Sequence, residues 1–238
     1  MHIDDAELSA SLRRLAAGRA EGAGVVAALN EVVQACVDLF HVTGSGVMVA
    51  DDHNITRYVA ASDGSGRVLE EVESATGQGP CTQAFVDNRV VASSDVTRDP
   101  RWPALAAAVR GREVFAVLGV PVRVGGVPVG TLDAYLDRPH DWDDSERRAL
   151  ARYSDVVATT LTAALKAHAA GELAGQLQYA LDYRVLIERS VGYLMAQSDV
   201  DSVTAFNRLR RVARGRRTKI GTIAEQLLTT GRLPSAQG

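Results

Sequence analysis

Hydrophobic positions along this chain recur with two periods, and the changes between them mark out its elements. Leu8, Leu12 and Leu15 fall at helical spacing within 6–17, and Val25 to Phe40 is a longer, more apolar helical pattern. Gly44 breaks the chain before a strand at Gly46–Ala50. Asp51-Asp52-His53-Asn54 is a turn by composition, and Thr56–Ser62 is the returning strand. Gly77-Gln78-Gly79 leads into a helix through Val86, with Pro80 as its first residue, where the missing N–H costs nothing. Val90–Ala92 and Val114–Val120 are further strands, and Val122–Leu136 is a hairpin turning at Gly125-Gly126. A helix follows over 141–169, capped by Asp143 or Asp144, with Leu150, Val157, Leu161 and Ala164 as its apolar stripe. The predicted class is α+β: one antiparallel sheet flanked by helices, then a small three-helix unit.

That last unit has the strongest periodicity. Leu173, Leu177, Ala180, Arg184, Ile187, Val191 and Leu194 follow 4-3 spacing, and all but Arg184 are apolar, the seam of a coiled-coil helix that predicts a homodimer. Arg184 inside the seam calls for an acidic neighbour, Asp182 or Glu188. A second helix buries Ala205, Phe206, Leu209, Val212 and Ala213, with Asp201 as N-cap and Gly215 at its end. A third, capped by Thr218 and ended by Gly231, buries Ile220, Ile223, Ala224, Leu227 and Leu228. Gly171 and Gly175 interrupt the register ahead of the seam. The predicted domains are therefore 1–170, 171–232 joined by a helical linker, and a disordered end over 233–238.

Charge sharpens this division. The whole chain carries a net charge of −3, but residues 171–238 hold an excess of four basic residues while the remainder is acidic. Blocks of opposite sign direct the tail alone toward a polyanion. The start, Met1-His2-Ile3-Asp4-Asp5, lacks the basic and apolar regions of a signal peptide, and no apolar run is long enough to span a bilayer. A reduced cytoplasm is the expected home of its two widely separated cysteines, Cys36 and Cys81.

The tail resembles an ANTAR domain, the RNA-binding antiterminator module of bacterial regulators. The resemblance rests on Ala180-Leu181, Arg184, Ile187, Gly192, Leu194-Met195, Ala205-Phe206, Leu209-Arg210, Lys219 and Ala224. Residues 23–168 resemble a GAF domain of the kind fused to ANTAR in actinobacteria. The carriers are Gly79-Pro80-Cys81, Val91, Ser94-Asp95, Arg101-Trp102, Val120-Pro121 and Gly130-Thr131-Leu132. The resemblance implies a dimer that binds hairpins in nascent mRNA and prevents a terminator from forming, under control of the GAF domain. The chain departs from the family at Ser190-Val191-Gly192, where Ala-Lys-Gly is usual, and at Arg217, where Asn or Thr is usual. The expected RNA-binding residues are Arg208, Arg211 and Arg214 on the second helix and Arg216, Arg217 and Lys219 in the following loop. Arg184 and Arg189 extend the surface from the first helix.

Other chemistry is weaker. A helix N-terminus can lower the pKa of a thiol such as Cys81, although a packed structural cysteine is the more common use. The five histidines show no paired metal spacing, so neither metal nor haem is expected. Val49, Cys81, Phe85, Val91, Phe115, Val117 and Tyr135 could line a small-molecule pocket of the GAF type, or equally fill its core. No nucleophile–base or paired-carboxylate frame is visible, and a methionine sulfoxide reductase would need a cysteine cluster that this chain lacks. The competing class is a signalling scaffold whose tail binds protein rather than RNA.

Overall fold

A computed structural model describes residues 2–18, 24–51, 56–62, 66–167 and 172–235. Its core is a five-stranded antiparallel sheet in the order β2-β1-β5-β4-β3. The strands are β1 (Gly44–Ala50), β2 (Thr56–Ala61), β3 (Val91–Ser93), β4 (Ala116–Val124) and β5 (Val127–Leu136). The β4–β5 turn falls at Gly125 and Gly126, as expected. Their φ values of 60° and 84° match a two-residue turn that needs positive φ at both positions.

Two helical layers cover the sheet. On one face α2 (Val25–Phe40) and α6 (Asp144–Ala167) bury Leu29, Val33, Phe40, Leu150, Tyr153 and Val157 against Val47, Val49 and Leu132, with α1 (Asp5–Gly18) outside them. On the other, α3 (Gly66–Thr76), α4 (Pro80–Asp87) and α5 (Pro103–Ala108) enclose Met48, Leu69, Cys81, Trp102, Val117 and Tyr135. The period of two places Val47 and Val49 on one face and Met48 on the other. Asp143 caps α6 by accepting from the N–H groups of Ser145 and Glu146. Neither α3 nor α5 is predicted by the sequence pattern. α3 has a short apolar stripe among glutamates, and α5 is only six residues long.

The tail forms α7 (Glu172–Ser198), α8 (Ser202–Gly215) and α9 (Ile220–Thr230). Ile187, Val191 and Leu194 pack with the apolar faces of α8 and α9, while Leu177 and Ala180 join the sheet's main core. This corrects the expected coiled coil. From Leu177 to Leu194 every seam residue is buried within one chain, so the seam offers no free strip to a second copy in this conformation. The physical reason is a division of labour: one half of the stripe faces the sensor domain, the other half its own small bundle.

The caps are mostly as read. Asp201 accepts from the Thr204 N–H at 2.8 Å, and Gly231 ends α9 with φ 70°. Lys219, rather than Thr218, occupies the N-cap of α9, and Leu228 is exposed. Leu233, expected in a disordered end, packs against the tail's core. The turn at 52–54, the junction at Gly171, the Leu173 side chain and residues 236–238 lie outside the described residues. Among the described residues, no helix is long and apolar enough to cross a membrane.

Candidate nucleic-acid interface

Because α8 turns Phe206, Leu209, Val212 and Ala213 inward, its opposite side is left to cations. Arg211 and Arg214 are exposed there, and Arg208 is half-buried beside them. The chain then leaves the helix through Arg216 and Arg217, both exposed, and re-enters at Lys219. The turn is closed by main-chain bonds from Arg216, Arg217 and Thr218 to the Val212, Arg214 and Ala213 carbonyls. Arg217 takes φ 50°, a left-handed conformation that Asn adopts more readily than Arg. The expected glycine terminator is displaced, since Gly215 remains helical.

The remaining groups of the loop are held in place. Lys219 lies with its ammonium 4.7 Å from the Tyr179 ring centre, and the Tyr179 hydroxyl accepts the Gly221 N–H at 2.9 Å. Arg216 donates through Nε to the Ser235 carbonyl at 2.8 Å. A hollow of about 460 Å³ lies between Arg216, Arg217, Thr218 and Gln226. Arg189 is exposed on α7. Six of the eight expected cations are thus exposed on the tail, and Arg208 lies at the edge of its α8 face.

Arg184 is the exception. It is 4% exposed, its guanidinium carbon lies 4.8 Å from the Phe85 ring centre, and it donates to the Phe85 and Val86 carbonyls at 3.2 Å each. Its Nε meets Glu188 at 2.8 Å, one of the two partners, with Asp182, anticipated from sequence. Desolvation lowers its pKa, and Glu188 opposes the shift. This corrects Arg184 as an RNA contact in this conformation: its donors are already committed at the end of α4, where free helix carbonyls collect negative charge.

The α4 contact is one part of a broader seat for the tail. Phe85 meets Phe206 edge-on with ring centres 6.2 Å apart. The Ser202 hydroxyl donates to Asp87 at 2.5 Å, Asn207 donates to the Gly77 carbonyl at 2.8 Å, and Arg210 donates to the Ser74 carbonyl at 3.2 Å. Arg210 is 7% exposed, and its pKa is lowered to about 10 by desolvation and by neighbouring Arg214, against an attraction from Asp51. Asn207 and Arg210 were not among the expected site residues. Their signal is their place beside the apolar stripe of α8, where polar side chains on a flank mark a contact surface.

The small-molecule pocket is also corrected. Its seven expected residues do not share a space: Val49 belongs to the α2–α6 face and Phe85 to the tail's core. Cys81, Val91, Val117 and Tyr135 pack together on the α4 face, while Phe115 is half-buried. Cys81 is not an activated thiol. Burial first, and then the Glu73 and Asp133 carboxyls, raise its pKa well above the ordinary thiol value. Cys36, in the opposite layer, is raised by burial as well. Glu73 accepts the Cys81 and Thr82 N–H groups at 3.2 and 2.6 Å, so it serves the start of α4. Among the described residues, no group of three or more His, Cys, Asp or Glu side chains is placed to hold a metal ion.

A sheet in this order, covered by helices and followed by a helical tail, defines a sensor module joined to an effector. A model of the GAF domain matches residues 25–161, and a model of the ANTAR domain matches residues 175–228. The chain belongs to the GAF domain family and carries a C-terminal ANTAR domain, which makes it a sensor-linked ANTAR regulator. The comparison with curated proteins gave no match. Among solved structures, the GAF domain of a phosphoenolpyruvate-protein phosphotransferase from Coxiella burnetii is similar at 17% identity. It covers 68% of this chain and 97% of that one, with a TM-score of 0.56. The corresponding Acinetobacter domain gives 16% identity, 69% and 98% coverage, and a TM-score of 0.55. Free methionine-R-sulfoxide reductase from Neisseria meningitidis gives 17% identity, 69% and 95% coverage, and a TM-score of 0.55. At these identities the likeness is one of fold.

Proposed function

We propose that the chain is a cytoplasmic RNA-binding regulator that acts by transcription antitermination, its ANTAR domain gripping hairpins in nascent mRNA under control of the GAF domain. The observation that carries this reading is the exposed run Arg211, Arg214, Arg216, Arg217 and Lys219 across the end of α8 and the start of α9. The same helices spend their apolar residues on an internal core, so the exposed side of the tail is a cationic surface of the kind that suits an external polyanion. Hairpin loops supply dense phosphates and splayed bases, which guanidinium forks and stacking planes recognise.

The test is binding of the full chain to structured RNA as a function of salt. Each phosphate contact contributes about 0.7 to the slope of log affinity against log salt on single strands, and about 0.9 on duplex. Arg217→Ala with Lys219→Ala should weaken binding and flatten this slope while leaving the fold intact, because both side chains lie outside the apolar core. Unchanged affinity at fixed salt would remove the loop from the site and favour a scaffold whose tail docks on protein.

A further inference from the structure

We propose that Asn207 and Arg210 are RNA-contacting residues which the GAF domain covers in this structure, so that the sensor inhibits its own effector by occupying part of the RNA face. This inference rests on the RNA-binding reading above and extends it to a surface that reading does not include. Asn207, Arg210, Arg211 and Arg214 line one continuous cleft of about 190 Å³ with Ala75 and Thr76 of the sensor. The outer two arginines are exposed, while Asn207 is half-buried and Arg210 is buried, bonded to the last turn of α3. One helix face is therefore half open and half covered.

What covers it is main chain. Asn207 and Arg210 donate to the Gly77 and Ser74 carbonyls, oxygen acceptors of the kind that RNA base edges and phosphates also present. Gly77 suits this contact: it has φ 68°, and a Cβ there would stand 2.2 Å from the Asn207 Oδ1. The match is incomplete. Asn207 Oδ1 is buried with no hydrogen-bond partner, and the Arg210 guanidinium is buried beside a second cation, Arg214, whose repulsion Asp51 only partly offsets. A buried amide oxygen without a donor and a desolvated guanidinium both disfavour the covered state.

The apolar half of the contact opposes this cost. Phe85 against Phe206, and Arg184 over Phe85, hold the tail down while the Asn207–Arg210 edge is poorly served. Such a balance suits a two-state contact, closed at rest and open to a competitor that satisfies both groups. An RNA hairpin can supply acceptors for Arg210 and both a donor and an acceptor for Asn207, whereas the sensor's main chain gives each of them an acceptor and gives Asn207 Oδ1 no donor. Closure and RNA binding then compete for one face.

The Ser202–Asp87 bond offers a test that alters neither polar group. In the full chain, Ser202→Ala removes that bond without changing the charge of the tail. Asp87→Cys with Ser202→Cys, oxidised to a disulfide, locks the contact, and reduction reopens it. The probe is a pool of labelled RNA stem-loops with randomised loops. Ser202→Ala should bind more tightly than the wild type, and the oxidised lock about tenfold more weakly than the same protein reduced. Asn207→Ala with Arg210→Ala should cancel the gain made by Ser202→Ala. Wild-type binding that neither the lock nor Ser202→Ala alters would overturn the cover while leaving RNA recognition in place. Absence of binding in every form, including the reduced and Ser202→Ala proteins, would overturn both. Should the cysteine pair not form a disulfide, Ser202→Ala with and without the Asn207–Arg210 substitutions decides the question alone.

Discussion

Glu73 and Arg184 hold opposite ends of one eight-residue helix, α4. The Glu73 carboxyl accepts the Cys81 and Thr82 N–H groups at its start, and the Arg184 guanidinium donates to the Phe85 and Val86 carbonyls at its end. A helix this short is marginal alone and gains from having its end N–H groups and carbonyls satisfied by side chains. One of those side chains belongs to the sensor and the other to the effector. The ANTAR tail thereby completes an element of the GAF domain, which ties the folding of the two together.

Arg184→Met keeps much of the side chain's bulk but removes both donors and the cation over Phe85. It should cost about 1.5–3 kcal/mol, the range for hydrogen bonds to a charged group. Glu188→Ala should cost less than about 1 kcal/mol, because the Glu188 side chain is 51% exposed. Urea unfolding of the two variants checks the ranking. Equal costs would mean that the ion pair, rather than the α4 carbonyls, is what Arg184 serves.

Arg217 carries backbone strain at φ 50° in the basic loop. Replacing it with Asn, which tolerates the left-handed region, should recover up to about 1 kcal/mol. That corresponds to a rise in thermal midpoint of roughly 2–4 °C for a chain of this length. RNA affinity should fall in the same variant through loss of one cation. A variant that is stabilised and binds as well as the wild type would show that the residue's charge is idle.

The sequence pattern disclosed the sheet, the flanking helices and the caps Asp143, Asp201 and Gly231, because those depend on local period and local turn chemistry. It also marked the exposed cations, since residues excluded from three apolar faces are left on the surface. It misjudged the α7 seam for a physical reason. A 4-3 stripe states that a helix face is buried but not what buries it, and here the partner is partly the sensor's core and partly α8 with α9. The same ambiguity hid Asn207 and Arg210. Their place beside the apolar stripe of α8 marks a flank, but their acceptors are main-chain carbonyls of Gly77 and Ser74, whose position depends on the docking of two domains. The seven residues offered as a pocket lining or a filled core were left open likewise, because apolar strand residues read the same whether they line a cavity or fill one.

Stability should depend on pH through Glu73. Burial raises its carboxyl above the ordinary value of 4.5, and the hydrogen bonds from Thr82 and Cys81 oppose that shift without cancelling it. A group raised on folding contributes stability that is complete below its unfolded pKa and is lost as pH rises through its folded pKa. The stability of the wild type relative to Glu73→Gln should therefore be greatest below about pH 4.5 and decline as pH increases. Urea unfolding of both proteins across that range measures the difference. A difference that grew with pH would mean that the two N–H groups favour the carboxylate more than burial disfavours it.

Leu177 and Leu194 share the α7 stripe but should report on different units. Leu177 is fully buried in the main core beside the sheet, whereas Leu194 is buried among Phe206, Ile220 and Leu227 in the tail. Truncating either to Ala should cost about 2–5 kcal/mol, the range for a large-to-small change in a packed core. Hydrogen exchange should separate them. Leu194→Ala should raise exchange across α8 and α9, while Leu177→Ala should raise it in α7 and along the α4 contact, leaving the tail's own helices protected. If instead the stripe serves a dimer, both substitutions would halve the mass seen by light scattering while exchange inside the tail stayed at the wild-type level. That outcome would return the seam to an intermolecular role and require the tail to leave the sensor in solution.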